Sequence, residues 1–385
     1  MPVEAIASAA GTATMEITVS KFELLRELSA TQGVVERKTT IPILSNYLFE
    51  ATSDRLSLTA TDLDLSLRTS CNAKVKKEGS CTIPARKLHD YVKLLPDADI
   101  NIKLLENHWV SIRCGRSHTK MVGMPRANFP SLPVFPTAGV VMIPAQVLRT
   151  MIARTGFAIA NEESRYTLNA ALMVLKPESI TMVATDGHRL AHVERAGQRF
   201  EGISGEMKTL IPKKAMDELR SLVDASEVET IEFAKDESTL FFRIGPRLLT
   251  SRQLTGQFPN YEAVLPKDNN KSIALHGEEL AAAISRVAQF ADERSRAVRL
   301  KLEKGELKLS ASSTETGESE DSLETDYDGE PLTIGFNAQY ITDFLRIAGA
   351  GDVRLELKDP QSAGQLRPVE SEDYKYRYIV MPMRI

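Results

Sequence analysis

At 385 residues, 42% hydrophobic and 26% charged, the chain has the composition of a folded globular protein of two or three domains. A small cross-linked scaffold and a disordered chain are both excluded. The net charge of −4, from 48 basic and 52 acidic side chains, argues against a protein that coats polyanions with its whole surface, yet it is compatible with a basic inner face.

Residues 1–14 are small and unpatterned and read as an N-terminal extension. From Met15 a strand and helix (15–29) lead to a pair of alternating strands (46–65). A second strand and helix (82–95) precede another alternating strand (108–114). The same order returns at 140–154, 170–190, 210–223 and 240–244, and again at 271–287, 298–317, 333–348 and 374–380. Thr61, Thr185 and Ser313 recur at a period of roughly 125 residues, as do Ile83 and Ile211. Phe129-Pro130 and Phe258-Pro259 close the first two units. Three domains are therefore expected, 15–135, 136–266 and 267–385. Each is α+β, with two helices laid on antiparallel sheet, and each is too long to be a solenoid repeat.

Cys71, Cys81 and Cys114 fit no zinc or redox spacing and read as buried thiols. No apolar run approaches the roughly 20 residues of a membrane helix, and the start of the chain lacks a basic export signal. A cytoplasmic protein without a membrane partner is expected.

The helical stretches carry Lys21, Arg26, Arg86, Lys87 and Lys93 in the first unit, Arg149, Arg154, Lys213, Lys214 and Arg220 in the second, and Arg286 and Arg346 in the third. Acidic Glu23, Glu27, Asp90 and Asp217 are interspersed, so a solvated helix face is one reading. The recurrence in all three units favours the other, a strip that meets phosphates without reading bases. The ends of the chain differ in sign. Residues 311–331 hold Glu315, Glu318, Glu320, Asp321, Glu324, Asp326, Asp328 and Glu330 with no basic residue, while the predicted strand near 109–121 carries Arg113, Arg116, His118 and Lys120. Charges on an exposed edge strand can serve just to prevent aggregation, and like-charged runs can simply be solvated; the other reading is that a basic edge and an acidic edge favour head-to-tail association, which closes into rings or grows filaments.

No P-loop, GxGxxG, HExxH or GxSxG motif occurs. Asp186, His188 and His192 form the one cluster resembling a metal site, the seat of a rival reading as a metal-dependent hydrolase. They fall on a strand–turn–strand pattern, so the histidines share no helix face. Asp62 and Asp64 resemble an acid pair, but the third unit has Ser-Thr-Glu at the matching place.

Seven segments carry a resemblance: TIPILSN at 40–46, LSLTATDLDL at 56–65, IPARK at 83–87, RYTLN at 165–169, ATDGHRLA at 184–191, FPNYEAVLP at 258–266 and YIVMPMRI at 378–385. In order and spacing, from Met15 to Ile385, the chain resembles the bacterial sliding clamp family, the beta subunits of DNA polymerase III. The resemblance implies a head-to-tail homodimeric ring around double-stranded DNA, helices lining the hole and sheets outside. It implies no catalytic activity, no cofactor and no metal. Implied partners are the polymerase III alpha subunit, a clamp loader, and proteins with clamp-binding motifs such as repair polymerases, mismatch repair proteins and ligase. A cytoplasmic, nucleoid-associated location goes with these.

By the same resemblance, a pocket for short peptides is formed by Arg165, Leu168, Thr185, Gly187, His188, Arg189, Leu190, Pro259 and Val264, with the tail Ile379, Val380, Met381, Pro382, Met383, Arg384 and Ile385. Apolar walls and flexible thioethers suit varied apolar ligands. Glu262 and Ala263 stand where the family pattern is basic. Lys38, Arg86, Tyr166, Lys213 and Lys214 are the implied DNA contacts, with Thr167 replacing a second aromatic. At the implied dimer seam, Lys87, Arg116 and His118 meet Glu315, Glu318 and Asp321, and Thr119 and Met121 face Gln289 and Phe290.

Overall fold

Among the described residues, strand runs directly into helix at six places. Ser20 ends the first strand (Glu16–Ser20), and its hydroxyl accepts the Glu23 amide at the start of α1 (Lys21–Thr31). Proline occupies the same junction before α2 (Ala85–Leu94), α3 (Ala145–Thr155) and α4 (Lys213–Asp224), where the lost N–H is one that no helix bond needs. α5 spans Gly277–Val287, and α6 (Ala338–Ala348) is capped by the Asn337 side chain accepting from the Gln339 amide. Each helix buries one stripe: Ala85, Leu88 and Val92 on α2, and Ala338, Ile341, Phe344 and Leu345 on α6.

The computed structural model describes residues 14–36, 39–162, 164–370 and 373–384. It separates into two units, Met1–Thr137 with Ser221–Arg252, and Ala138–Arg220 with Gln253–Ile385. In the first unit, an antiparallel five-stranded sheet runs in the order Lys74–Lys77, Glu16–Ser20, Asp99–Leu104, Trp109–Cys114, Ser117–Val122. A further antiparallel series orders Thr230–Lys235, Thr239–Ile244, Arg247–Arg252, Leu65–Asn72, Arg55–Thr61, Asn46–Thr52 and Gly79–Pro84. In the second unit, an eight-stranded sheet runs Met207–Pro212, Ala170–Lys176, Ser179–Thr185, Arg189–Ala196, Tyr374–Val380, Gly364–Pro368, Asp352–Leu357, Lys271–His276. A four-stranded sheet runs Gly317–Glu324, Glu306–Ser313, Ala297–Glu303, Leu332–Asn337.

One kind of join recurs. The fourth strand of the first repeat, Leu65–Asn72, pairs antiparallel with Arg247–Arg252, the last strand before Phe258-Pro259. The fourth strand of the second repeat, Arg189–Ala196, pairs the same way with the last strand, Tyr374–Val380. The corresponding strand of the third repeat, Gly317–Glu324, is a sheet edge, and so is the last strand of the first repeat, Ser117–Val122.

The helix charges depart from the expected strip. Lys21 donates to the Leu95 carbonyl, and Arg26 pairs with Glu23 at 2.9 Å and Glu27 at 2.7 Å. Arg154 lies over the rings of Tyr374 and Tyr376, at 4.9 and 5.3 Å. Arg286 pairs with Asp321 at 2.6 Å and Arg346 with Asp343 at 3.3 Å. These cations are spent on their own fold. Glu27 is no solvated residue either: it is 0% exposed, with both carboxylate oxygens reached by Arg247 (2.9 and 3.2 Å) and Oε2 by the Thr69 hydroxyl at 2.6 Å. The three cysteines are buried and unpaired, and burial pushes the Cys71 thiol up to about 12.

Candidate functional site

The second unit gathers most of the residues assigned to the peptide pocket. Its floor is a cluster of Ala170, Leu172, Val174, Val183, Leu190, Leu210, Phe258 and Ile379, with Leu254, Tyr261, Leu265 and Ala363 packed against it. Leu190 and Ile379 face each other directly across the Arg189–Ala196 and Tyr374–Val380 strands. Above this floor Pro259 and His188 are exposed, Leu168 is half-buried, and Val264 and Met381 are 42% and 43% exposed. Exposed aliphatic and thioether groups beside a buried apolar cluster have the chemistry that receives apolar side chains.

The tail is tied at two points. The Met381 amide donates to the His188 carbonyl at 2.9 Å, and the Met383 amide to Gly335 at 2.8 Å. Pro382, without an N–H, sits between them, so the tail leaves the ladder and becomes a rim. Ile379 and Val380 are buried ladder residues, Arg384 is exposed, and Ile385 lies outside the described residues.

The loop from Thr185 to Arg189 is locked by its own side chains. The Thr185 hydroxyl donates to the Arg189 carbonyl and accepts the Gly187 amide, while Asp186 Oδ1 accepts the amides of His188 and Arg189. Gly187 has φ +90, a conformation that suits glycine. The Arg165 guanidinium donates to the Asp186 carbonyl at 2.8 Å. Arg189 supports the pocket from beneath: it pairs with Asp186 (3.0 Å) and Asp343 (2.6 Å), donates to the Phe157 carbonyl, and lies over the Tyr340 ring at 4.6 Å. These four interactions hold a side chain that is 11% exposed.

The first repeat repeats this wiring at Thr61–Leu65, where the Thr61 hydroxyl donates to Leu65, and Asp62 Oδ1 accepts the amides of Asp64 and Leu65. Its chemistry has diverged. Leu63 takes the glycine position at φ +83, at a cost of about 1–2 kcal/mol. Arg252 occupies the place of Met381, its amide donating to the Asp64 carbonyl at 2.7 Å, and its guanidinium pairs with Asp64 at 3.5 Å. A polar clasp stands where the second repeat has an apolar rim.

The metal reading is overturned. Asp186 is fully engaged in the loop, His188 stacks on Tyr340 at 6.5 Å, and His192 packs on Tyr261 at 5.6 Å. Burial lowers the His192 pKa. No group of three His, Cys, Asp or Glu side chains that could hold a metal ion occurs among the described residues.

At the sheet edge formed by Ser117–Val122, His118 and Lys120 stand on the exposed face and Thr119 and Met121 turn the other way, with Met121 buried in its own unit. His118 Nε2 is 3.0 Å from the Ser111 hydroxyl. Lys87 and Arg116 are exposed. On the acidic edge Glu318, Glu320 and Glu324 are exposed and Asp321 is half-buried beside Arg286; Glu315 and Gln289 are exposed and Phe290 is half-buried. Of the DNA candidates, Arg86, Lys214 and Tyr166 are exposed, and Lys213 is 3.8 Å from Asp217. Lys38 lies outside the described residues.

Sequence reasoning missed the pocket floor. Leu172, Val174, Val183, Leu210, Phe258 and Tyr261 sit in alternating strands or beside Phe-Pro, where apolar residues read as ordinary core.

The whole chain has relatives. Three family models match in succession: DNA polymerase III beta subunit N-terminal domain over residues 15–133, central domain over 142–260 and C-terminal domain over 262–384. The beta sliding clamp of Caulobacter vibrioides is 35% identical over 377 residues, covering 96% of this chain and 100% of the relative. That of Vibrio cholerae is 32% identical, with 96% and 100% covered. The solved structure of a Pseudomonas aeruginosa sliding clamp bound to griselimycin is similar with a TM-score of 0.89 at 34% identity, over 96% of this chain and 100% of that one. A C. crescentus beta sliding clamp with PEG bound to a putative beta-motif tethering region gives 0.90 at 35%, over 97% and 100%. No helix among the described residues is long and apolar enough to cross a membrane.

Proposed function

This chain belongs to the DNA polymerase III beta subunit family, the beta sliding clamps, and from that premise we propose that two copies close head to tail into a ring that encircles duplex DNA. Its work is that of a sliding clamp, a processivity factor without catalysis of its own. The observation that carries the ring is the pair of unused edges. Twice within the chain, the fourth strand of one repeat pairs antiparallel with the last strand of the next. The strands left over, Gly317–Glu324 and Ser117–Val122, are acidic and basic. Pairing the acidic edge of one copy with the basic edge of the other continues the same rule, and doing so twice closes a circle.

The seam joins Lys87, Arg116, His118, Thr119 and Met121 of one copy to Gln289, Phe290, Glu315, Glu318 and Asp321 of the other. The rim is largely ionic, and Thr119 and Gln289 add little apolar area, so the monomer fraction rises as salt screens the charges. Sedimentation at micromolar protein from low to high ionic strength checks this; a dimer indifferent to salt counts against an ionic seam.

The three domains, 15–135, 136–266 and 267–385, then supply the helices that face DNA, with Lys38, Arg86, Tyr166, Lys213 and Lys214 meeting phosphates. Because so many helix cations are internally paired, the hold on DNA is loose, and retention is a matter of linkage more than affinity. The pocket of Arg165, Leu168, Thr185, Gly187, His188, Leu190, Pro259, Val264 and the tail captures apolar peptides from the polymerase III alpha subunit, the clamp loader and repair proteins, in the cytoplasm and on the nucleoid.

The test is topological. Clamp loaded by a clamp loader and ATP onto a nicked circular duplex is retained on the circle and lost once the circle is cut. Retention that survives linearisation would defeat the ring reading.

A further inference from the structure

The five-stranded sheet of the first unit has one face that the clamp reading leaves without a task. Ile17, Val19, Ile100, Ile102, Val110 and Ile112 are buried on one side, so the alternate residues stand on the other. The register sets them in rows. Glu16, Lys103, Ser111 and Lys120 lie opposite one another in successive strands, as do Lys74, Thr18, Asn101, Arg113 and His118. Trp109 and Val122 form the next cross-strand pair, and both are exposed, at 43% and 53%.

The charge of this face opposes that of the molecule. Within a chain of net charge −4, the face carries Lys74, Lys76, Lys103, Arg113 and Lys120. Among the carboxylates it carries are Asp99 and Glu16, and Glu16 is shared between Lys76 at 2.8 Å and Lys103 at 3.7 Å. None of Lys74, Arg113 and Lys120 has a carboxylate within 4.0 Å among the described residues. Cations on alternate strands of a sheet stand about 10 Å apart, and the indole lies among them.

We propose that this sheet face is a binding platform for single-stranded nucleic acid, with the lysines and Arg113 against the sugar–phosphate chain and Trp109 stacked on an unpaired base. Three considerations choose this partner. The face is complementary in charge to a polyanion, and nucleic-acid interfaces are rich in positive charge, whereas protein interfaces are depleted in lysine. A flat sheet with one exposed aromatic among cations is the arrangement by which unpaired bases are stacked while the backbone is tracked. A duplex hides its base faces and leaves the indole unused. The platform is made of strands, apart from the helices assigned to duplex DNA, and its edge strand Ser117–Val122, with His118, is shared with the proposed seam.

Trp109 is the single tryptophan of the chain, so intrinsic fluorescence reports on this face alone. Titrating the dimer with an oligothymidylate of about twenty nucleotides at low salt should quench the emission saturably, with an affinity that falls as salt rises. Lys74→Glu with Lys103→Glu, both outside the seam and the helices, should weaken binding roughly tenfold while the protein still sediments as a dimer and is retained on circular duplex. Trp109→Ala, followed by anisotropy of a labelled oligonucleotide, should weaken binding about fivefold or more. Absence of quenching, oligonucleotide binding unchanged in either variant, or polyglutamate quenching Trp109 in preference to oligothymidylate overturns the proposal; the last result assigns the face to an acidic protein.

Discussion

Truncation after Val380 is expected to lower the affinity for a polymerase-derived peptide by about a hundredfold or more while leaving the dimer intact. Of the segment removed, Met381 is 43% exposed, Arg384 is exposed, and Pro382 and Met383 are half-buried. The Met381 and Met383 amides donate to the His188 and Gly335 carbonyls. In the proposed pocket the segment supplies one wall over the Leu190–Ile379 floor. Without that wall an inserted side chain keeps contact with Val264 and Pro259 on one side and meets water on the other, and hot-spot pockets lose their energy when water enters. Met381→Leu should bind nearly as wild type, since volume and polarity are kept, and Met381→Asp should behave like the truncation. Fluorescence polarisation with a labelled peptide gives the affinities, and sedimentation of the same samples verifies the dimer. Undiminished binding by the truncated protein places the peptide elsewhere.

The second large effect is on stability. Glu27→Ala leaves Arg247, 8% exposed, as a buried cation without its carboxylate, and breaking one partner of such a pair costs about 3–5 kcal/mol. Replacing both partners by apolar residues of similar volume should recover much of that loss. The pair also sets an acid limb. Burial alone raises a carboxyl pKa, but hydrogen bonds from Arg247, Thr69 and Arg26 outweigh it and hold Glu27 below its ordinary value. A group depressed in the folded state stabilises the fold above its unfolded pKa, near 4.5. That contribution is lost as pH falls through the lower folded value. In urea melts across the acid range, wild type and Glu27→Gln should therefore converge progressively as pH drops below the ordinary carboxyl value of 4.5. A constant gap between them down to pH 2 is the contrary result.

Periodicity carried much of the architecture into the sequence. Strand–helix junctions announce themselves through Ile-Pro followed by a helix stripe, as at Ile83-Pro84 and Ile211-Pro212, and the structure has its helices there. Gly317–Glu324 was harder to read as a strand. Its residues GESEDSLE hold one aliphatic side chain, because the strand lies at an edge with little to bury, and a polar edge has no apolar alternation to display. The fate of the helix arginines was also hidden. Arg154 lies over tyrosines more than two hundred positions onward, and Arg247 meets Glu27 at a similar remove. Local patterning holds no trace of such pairings. For the pocket, the loop from Thr185 to Arg189 and the tail were legible through the family resemblance that ATDGHRLA and YIVMPMRI carry, with Pro382 the one residue whose local chemistry also pointed to a rim. The floor reads as ordinary core and so was silent.

The diverged loop of the first repeat bears on traffic. Had Thr61–Leu65 kept an open apolar berth in place of the Arg252–Asp64 clasp, each copy would moor several clients at once. Under the proposed pocket in the second unit, a polymerase and a repair factor that both dock there on the same copy take turns. Hand-over on the ring is then a contest settled by departure rates and local abundance, and a weakly held client is an asset because it vacates quickly.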